Sequence, residues 1–261
     1  MSFIYALILG VVEGLTEFLP VSSTAHLILT SAFLKIPQTD FQKLFEVVIQ
    51  SGAILAVLFL YFNYLLKNKN LWGKLVASFL PTAVVGFLFY KIIKSVFFES
   101  INLIIFSLFF IGLIFLLIEF LIKQKKIKLE KGLSSLTYSN AVLIGLAQSL
   151  AIVPGISRAG IVMIAMLIMG YRREESAIYS FLLALPTIIA ASLLDLYKGR
   201  ALLAQANLVY IAIGFFVALL TAIIAVRWFV NFLKNHTLVV FGWYRIILAL
   251  FLLIALRLAI I

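Results

Sequence analysis

Glu13 and Glu17 are carboxylates set in otherwise lipid-soluble sequence, within the stretch VVEGLTEFLPVSSTAHL from Val11 to Leu27. A carboxylate in a hydrocarbon-embedded helix costs on the order of 3 kcal/mol on insertion scales, so a pair of them points to function. Their i, i+4 spacing places both on one helical face. Pro20 then stops that helix, because its ring removes a backbone donor and disfavours helical geometry at Leu19. Ser22, Ser23 or Thr24 can cap a new helix at once. Its first N–H groups and positive dipole end then face the break, which makes the break an anion site. Carboxylates beside an anion site call for a cation. Mg²⁺ is typically held by one or two carboxylates plus substrate phosphates, so Glu13 and Glu17 are the expected ligands of a divalent metal, Mg²⁺ or Ca²⁺.

A second break has the same character. In PGISRAG, Pro154 and Gly155 interrupt apolar sequence, and Ser157 and Arg158 open the next helix. An arginine at membrane depth needs an anionic partner, and its planar fork suits phosphate through two parallel charge-assisted hydrogen bonds. The competing expectation for Arg158 is a salt bridge to Glu13 or Glu17. Arg245, in FGWYR at the start of the last apolar run, is a further candidate ligand for phosphate, against simple snorkelling to the interface. His26 lies one turn beyond Ser23; alone it is weak evidence. Two helix starts, an arginine, two carboxylates and the hydroxyls of Ser23 and Ser157 describe a polyanion bound with a divalent metal.

The elements that must position these groups follow from composition and run length. With 65% hydrophobic and 12% charged residues, 24 Phe and a mean hydropathy of +1.21 over 261 residues, the chain is an all-α polytopic integral membrane protein in a single membrane domain. It has no cysteine, which excludes disulfides, thiol catalysis and zinc-thiolate sites. The net charge of +11 does not imply nucleic acid, because the Lys and Arg lie mostly between apolar runs, where they orient the protein and meet lipid headgroups. Met1 to Leu19 lacks a basic leader and carries two acids, so it is not expected to be a cleaved signal peptide. Runs at 41–62, 71–91, 101–122, 176–196, 207–228 and 238–261 are long enough to span, with 63–70 as a polar loop and Lys123 to Lys131 as a solvated basic loop. Val21 to Leu34 and Ile156 to Met169 have 14 residues each, too few to cross, and with the apolar segments before them they form two re-entrant hairpins.

The chain also repeats itself. Gly10 and Glu13 match Gly145 and Gln148, Pro20 and Ser23 match Pro154 and Ser157, and Phe45 falls on Tyr179. Residues 1–122 and 138–261 are therefore two repeats. Three spans separate the hairpins, so the repeats are inverted and the hairpins meet near the midplane. Charge counting then orients them. One face collects Lys67, Lys69, Lys74, Lys123, Lys125, Lys126, Lys128, Lys131, Arg172, Arg173, Arg227 and Lys234; the other has Lys35, Lys43, Lys91, Lys94, Lys198, Arg200 and Arg257. The richer face is expected in the cytoplasm, with both termini outside.

The blocks EGLTEFLPVSSTAH, FEVVIQSGAILAV, PGISRAG, YSFLLALP and NHTLVVFGWYR together resemble the undecaprenyl-pyrophosphate phosphatase family of the bacitracin-resistance type. The resemblance implies about six spans and two re-entrant hairpins. It also implies removal of the terminal phosphate of a polyprenyl diphosphate on the outer face of the bacterial cytoplasmic membrane, which recycles the lipid carrier for cell-wall synthesis. Glu13 and Glu17 match the family's paired acids, Ser22, Ser23, Thr24 and His26 its hydroxyl-and-histidine motif, and Ser157 and Arg158 its phosphate-binding motif, with Gly155 beside them a candidate substrate-binding residue. Where the family reads SRSxxT, this chain has Ala159 and Val162. The chemistry so implied is phosphoryl transfer, with Arg158 on the phosphate and the metal offsetting developing charge. Ser23 is the first choice of nucleophile; His26, as its base or as the nucleophile itself, and an activated water remain alternatives. A polyprenyl-phosphate flippase would need the arginine and the helix starts but no nucleophile. Membrane lipids are the other expected partners, and oligomeric state is left open.

Overall fold

Each apolar run bounded by polar caps becomes a helix. The computed structural model describes residues 2–37, 39–92, 100–204 and 207–258. In chain order the helices are α1 (Phe3–Thr16), α2 (Ser23–Phe33), α3 (Asp40–Lys67), α4 (Asn70–Ile92), α5 (Ile101–Lys123), α6 (Tyr138–Ser149), α7 (Arg158–Ile168), α8 (Arg173–Lys198), α9 (Arg200–Ala204), α10 (Leu208–Leu233) and α11 (Val239–Arg257). No β-strand occurs among the described residues. Six helices, α3, α4, α5, α8, α10 and α11, are long and apolar enough to cross a membrane, so the protein is an all-α polytopic membrane protein. At about 1.5 Å per residue α1, α2, α6 and α7 each fall well short of a bilayer core.

The boundaries depart from the sequence expectation where polar residues continue a helix. Residues 63–67, expected in a loop, extend α3 by more than a turn. Leu65 is buried there and its carbonyl accepts from the Trp72 indole, while Lys67 sits at the negative end of the helix dipole. Likewise α10 runs past Trp228 to Leu233, because Phe229 and Leu233 are buried. Lys94 and the last residues of the expected final span, up to Ile261, lie outside the described residues, as does the side chain of Lys91. The basic segment is exposed at Lys125, Lys126, Lys128 and Lys131, as expected. Arg173, counted with the same basic face, instead turns inward and forks onto the carboxylate of Glu119, which also accepts from the Leu238 N–H at 2.9 Å; this buried pair ties α5, α8 and the start of α11 together.

Helices approach closely where small residues meet, as expected when lipid offers no hydrophobic drive between them. α1 lies along α10 and α6 along α4, while α3 packs on both α8 and α10, and α5 on α11. A Cβ at Gly14 would stand 2.0 Å from Thr221 Oγ1 and 2.4 Å from the Ala218 carbonyl, so α1 and α10 need that glycine. The core sits beneath the first break. Phe18, fully buried one residue after Glu17, meets Phe181 of α8 edge to face at 5.4 Å, and Phe229 and Phe241 continue the cluster. This anchors the backbone that carries Glu17.

Candidate active site

Both proline breaks become helix starts of the same unusual form. Ser22 precedes α2 with φ 73° and ψ 95°, and Ser157 precedes α7 with φ 71° and ψ 117°. A positive φ at a non-glycine residue is costly, and such conformations gather at functional sites. Ser157 caps its helix by accepting from the Gly160 N–H at 3.2 Å, whereas the Ser22 side chain makes no cap bond. Ser22, expected as one of three possible caps, thus holds the cap position by backbone alone.

The breaks enclose a chamber of about 300 Å³. Glu17, Ser22, Ser23 and Thr24 line it from the first break and Gly155, Ser157 and Arg158 from the second; Gln50 of α3, Thr82 of α4, Gln148 of α6 and Thr187 of α8 close its sides. Glu17 is the hub. Its Oε2 accepts from Ser23 Oγ at 2.5 Å, and its Oε1 accepts from Arg158 Nη2 at 2.7 Å and Gln50 Nε2 at 3.2 Å. The carboxylate is almost fully buried and the guanidinium slightly exposed, so their mutual attraction is little screened. The salt bridge expected for Arg158 as the competing reading is present, to Glu17, and the same side chain lines the chamber.

Glu13 lies one turn before Glu17, 1% exposed, and neither of its oxygens has a hydrogen-bond partner. An unpartnered buried carboxylate beside a second one is not satisfied by the single arginine, which already bonds Glu17. Such a pair fits a divalent cation that shares the substrate's phosphates. Among the described residues no three His, Asp or Glu side chains gather at one place.

Two expected site residues, Arg245 and His26, stand differently from the sequence reading. Arg245 does not line the chamber. It is fully buried, and its Nη1 donates to the Pro20 carbonyl at 2.9 Å while Nη2 donates to the Gly155 and Ile156 carbonyls at 2.5 and 3.0 Å. Its Nη groups bond backbone, Nε has no partner, and the side chain is not among the chamber's lining residues, so the geometry gives it a structural place instead of the expected one on phosphate. His26 bonds the Ser22 carbonyl at 2.7 Å through Nδ1 and the Tyr244 hydroxyl at 2.6 Å through Nε2, and it stacks parallel to that ring. Both ring nitrogens are engaged, and the group bonded to Ser23 Oγ is Glu17 rather than His26. Gly155, with φ 91°, lines the chamber and also lets the second break press on α5, where a Cβ would stand 2.7 Å from the Ile104 carbonyl.

Ala159 and Val162, which replace hydroxyl residues of the family pattern, are both buried, and neither is among the chamber's lining residues. Sequence reasoning missed Thr82 and Thr187. Each lines the chamber and donates to a helix carbonyl, Gly145 at 3.0 Å and Leu183 at 2.8 Å, and each accepts from Gln148 Nε2. A signal was present, since both follow a proline inside an apolar run, in Leu-Pro-Thr at 80–82 and again at 185–187. Gln50 shares the apolar run 41–62 with Glu46 and Ser51, a polar stripe that does not by itself single it out.

The bacitracin resistance protein BacA family matches residues 6–251 of this chain. An undecaprenyl-diphosphatase of Campylobacter hominis is 48% identical over 95% of this chain and 97% of its own length. Those of a Sulfurihydrogenibium species and of Aquifex aeolicus are 46% and 43% identical, covering 96% and 94% of this chain and 98% and 95% of theirs. The matched region contains both breaks, the chamber between them and the buried arginine behind it, and on that likeness the chain belongs to the bacitracin resistance protein BacA family.

Proposed function

We propose that the chamber hydrolyses the terminal phosphoanhydride of undecaprenyl diphosphate, so that the protein is an undecaprenyl-diphosphatase of the membrane. The family and the names of the full-length relatives support the reaction. The observation that carries the site is the Ser23–Glu17–Arg158 chain of hydrogen bonds at two facing helix starts. A nucleophile held by a base, with that base oriented by a third group, is the arrangement nucleophilic catalysis requires.

The distal phosphate sits between the starts of α2 and α7, where first-turn N–H groups and the Arg158 fork hold its oxygens. Ser23 Oγ attacks phosphorus and Glu17 Oε2 takes the hydroxyl proton. The bond from phosphorus to the bridging oxygen breaks, and undecaprenyl monophosphate leaves with the electron pair. Water then attacks the phosphoserine, giving inorganic phosphate and restoring Ser23. His26, held by Tyr244, fixes the Ser22 carbonyl at the start of α2 and leaves the proton transfer to Glu17. Glu13 and Glu17 would hold Mg²⁺ or Ca²⁺, which when bound offsets charge on the phosphate oxygens.

Purified protein is expected to release inorganic phosphate from undecaprenyl or farnesyl diphosphate. A chelator should stop the release, and Mg²⁺ or Ca²⁺ should restore it. Lipid translocation across vesicles without phosphate release would sink the hydrolase reading in favour of a flippase.

The same reading places the two halves as inverted repeats with hairpins that re-enter their own face. It is supported by the exchanged packing, α1 on α10 and α6 on α4, and by the matching Ser22 and Ser157 conformations. The chamber then opens to the outer leaflet of the cytoplasmic membrane, since exposed Ala191 on its lining is two turns from the end of α8 on the charge-poor side. A cysteine replacing Arg200 should react with a membrane-impermeant thiol reagent in intact cells, and one replacing Lys126 should not. The opposite labelling would reverse this orientation.

A further inference from the structure

Among the described residues Arg245 is the largest fully buried side chain, and no carboxylate pairs with it. A buried cation without an anion is expensive unless its donors are satisfied. Here three backbone carbonyls accept from Nη1 and Nη2 while Nε is left without a partner, and the identity of those carbonyls is informative. Pro20 belongs to the first break; Gly155 and Ile156 belong to the second. The two breaks are 134 to 136 residues apart in the chain, yet one planar guanidinium from α11 reaches both. Pro20 stands three residues before Ser23, and Gly155 and Ile156 stand three and two residues before Arg158. A rigid fork holds the two turns at one separation, whereas a flexible ammonium on a longer, rotatable stem would not. The preceding residue, Tyr244, bonds His26 at the start of α2, so the same turn of α11 holds the first break at a second point.

We propose that Arg245 is a positioning residue: it clamps the two breaks at a set distance and thereby aligns Ser23 with Arg158 across the bound phosphate. The kinetic part of this proposal rests on the phosphatase reading above. The structural part does not.

Positioning has a signature that packing lacks. In-line attack is sensitive to misplacement of about 1 Å, which can slow chemistry by up to about a hundredfold, while ground-state binding is shared among several donors and tolerates it. Arg245→Lys keeps the buried charge and most of the stem, and Arg245→Gln keeps two donors without charge. Each should lower kcat by roughly tenfold to a hundredfold and leave KM within about threefold. The absence of native cysteine allows a direct reading of the clamp. Spin labels on cysteines replacing Phe33, at the end of α2, and Ile168, at the end of α7, are exposed at 54% and 58% and lie outside the chamber. Their distance distribution should be narrow with Arg245 in place and should shift or broaden in either variant.

An unchanged distribution, or a changed one with kcat intact, would overturn the proposal. A raised KM with kcat intact would instead make Arg245 a substrate ligand. Failure of both variants to fold would make it a general core element, which also counts against positioning. If the labelled parent releases no phosphate, the phosphatase reading fails, and the label distances still decide whether the clamp exists.

Discussion

Ser23→Ala is expected to reduce phosphate release to background, a loss on the order of a thousandfold or more, while undecaprenyl diphosphate still binds. Binding survives because the helix-start N–H groups and Arg158 remain. Turnover does not, because Ser23 Oγ is the hydroxyl held at 2.5 Å by the Glu17 carboxylate. The helix-cap role is held by Ser22, whose own side chain makes no cap bond, so the effect cannot be ascribed to a lost cap at Ser23. Phosphate release and lipid binding measured on the same preparation separate the two properties. Activity within tenfold of the parent would mean that Glu17 activates water instead of Ser23.

Glu17→Gln should cost about a hundredfold or more in kcat, the usual loss when a general base is removed. The amide can keep its oxygen toward Arg158 and Gln50, so the chamber's shape is retained, but it presents N–H groups to Ser23 where a proton acceptor is required. The variant also removes the negative partner of a buried arginine, so its thermal stability should be measured alongside. A folded Glu17→Gln protein with full activity would take Glu17 out of the proton path and return the base to His26.

The site was largely legible because a membrane makes polar residues conspicuous. Glu13, Glu17, Arg158 and the two prolines interrupt apolar sequence, and each has an energetic cost there that points to function. The six spans were legible for the same reason, by length and apolarity. What sequence could not provide was direction. Arg245 and Arg158 look alike in a string of letters, yet one faces a chamber and the other faces backbone carbonyls, and only the packing of α11 against α5 separates them. His26 is one turn from Ser23, so a helical wheel pairs them, but the Ser22 carbonyl and the Tyr244 hydroxyl hold the ring and Glu17 takes the serine. Thr82 and Thr187 were hidden for another reason: threonine is unremarkable in an apolar helix, where its hydroxyl can bond a preceding carbonyl. Helix ends were misjudged wherever a buried residue such as Leu65 or Leu233 lay beyond a polar one.

The packing of α1 against α10 bears on how the protein is made. Thr221 of α10 donates to the Gly10 carbonyl of α1, 211 positions earlier in the chain. At translation speeds of about 5–20 residues per second, α1 leaves the ribosome roughly 10–40 s before the helix it lies against. During that interval Glu13 and Glu17 have neither α10 beside them nor Arg158, which is 141 positions beyond Glu17. Hydrocarbon is a poor place for two carboxylates to wait, so α1 and α2 are synthesised first but are expected to be seated only once α7 and α10 have arrived. A nascent chain halted before α10 should therefore leave α1 and α2 open to protease while the Lys123 to Lys131 segment is already in its final compartment, and neither α1 to α5 nor α6 to α11 alone should form a closed site.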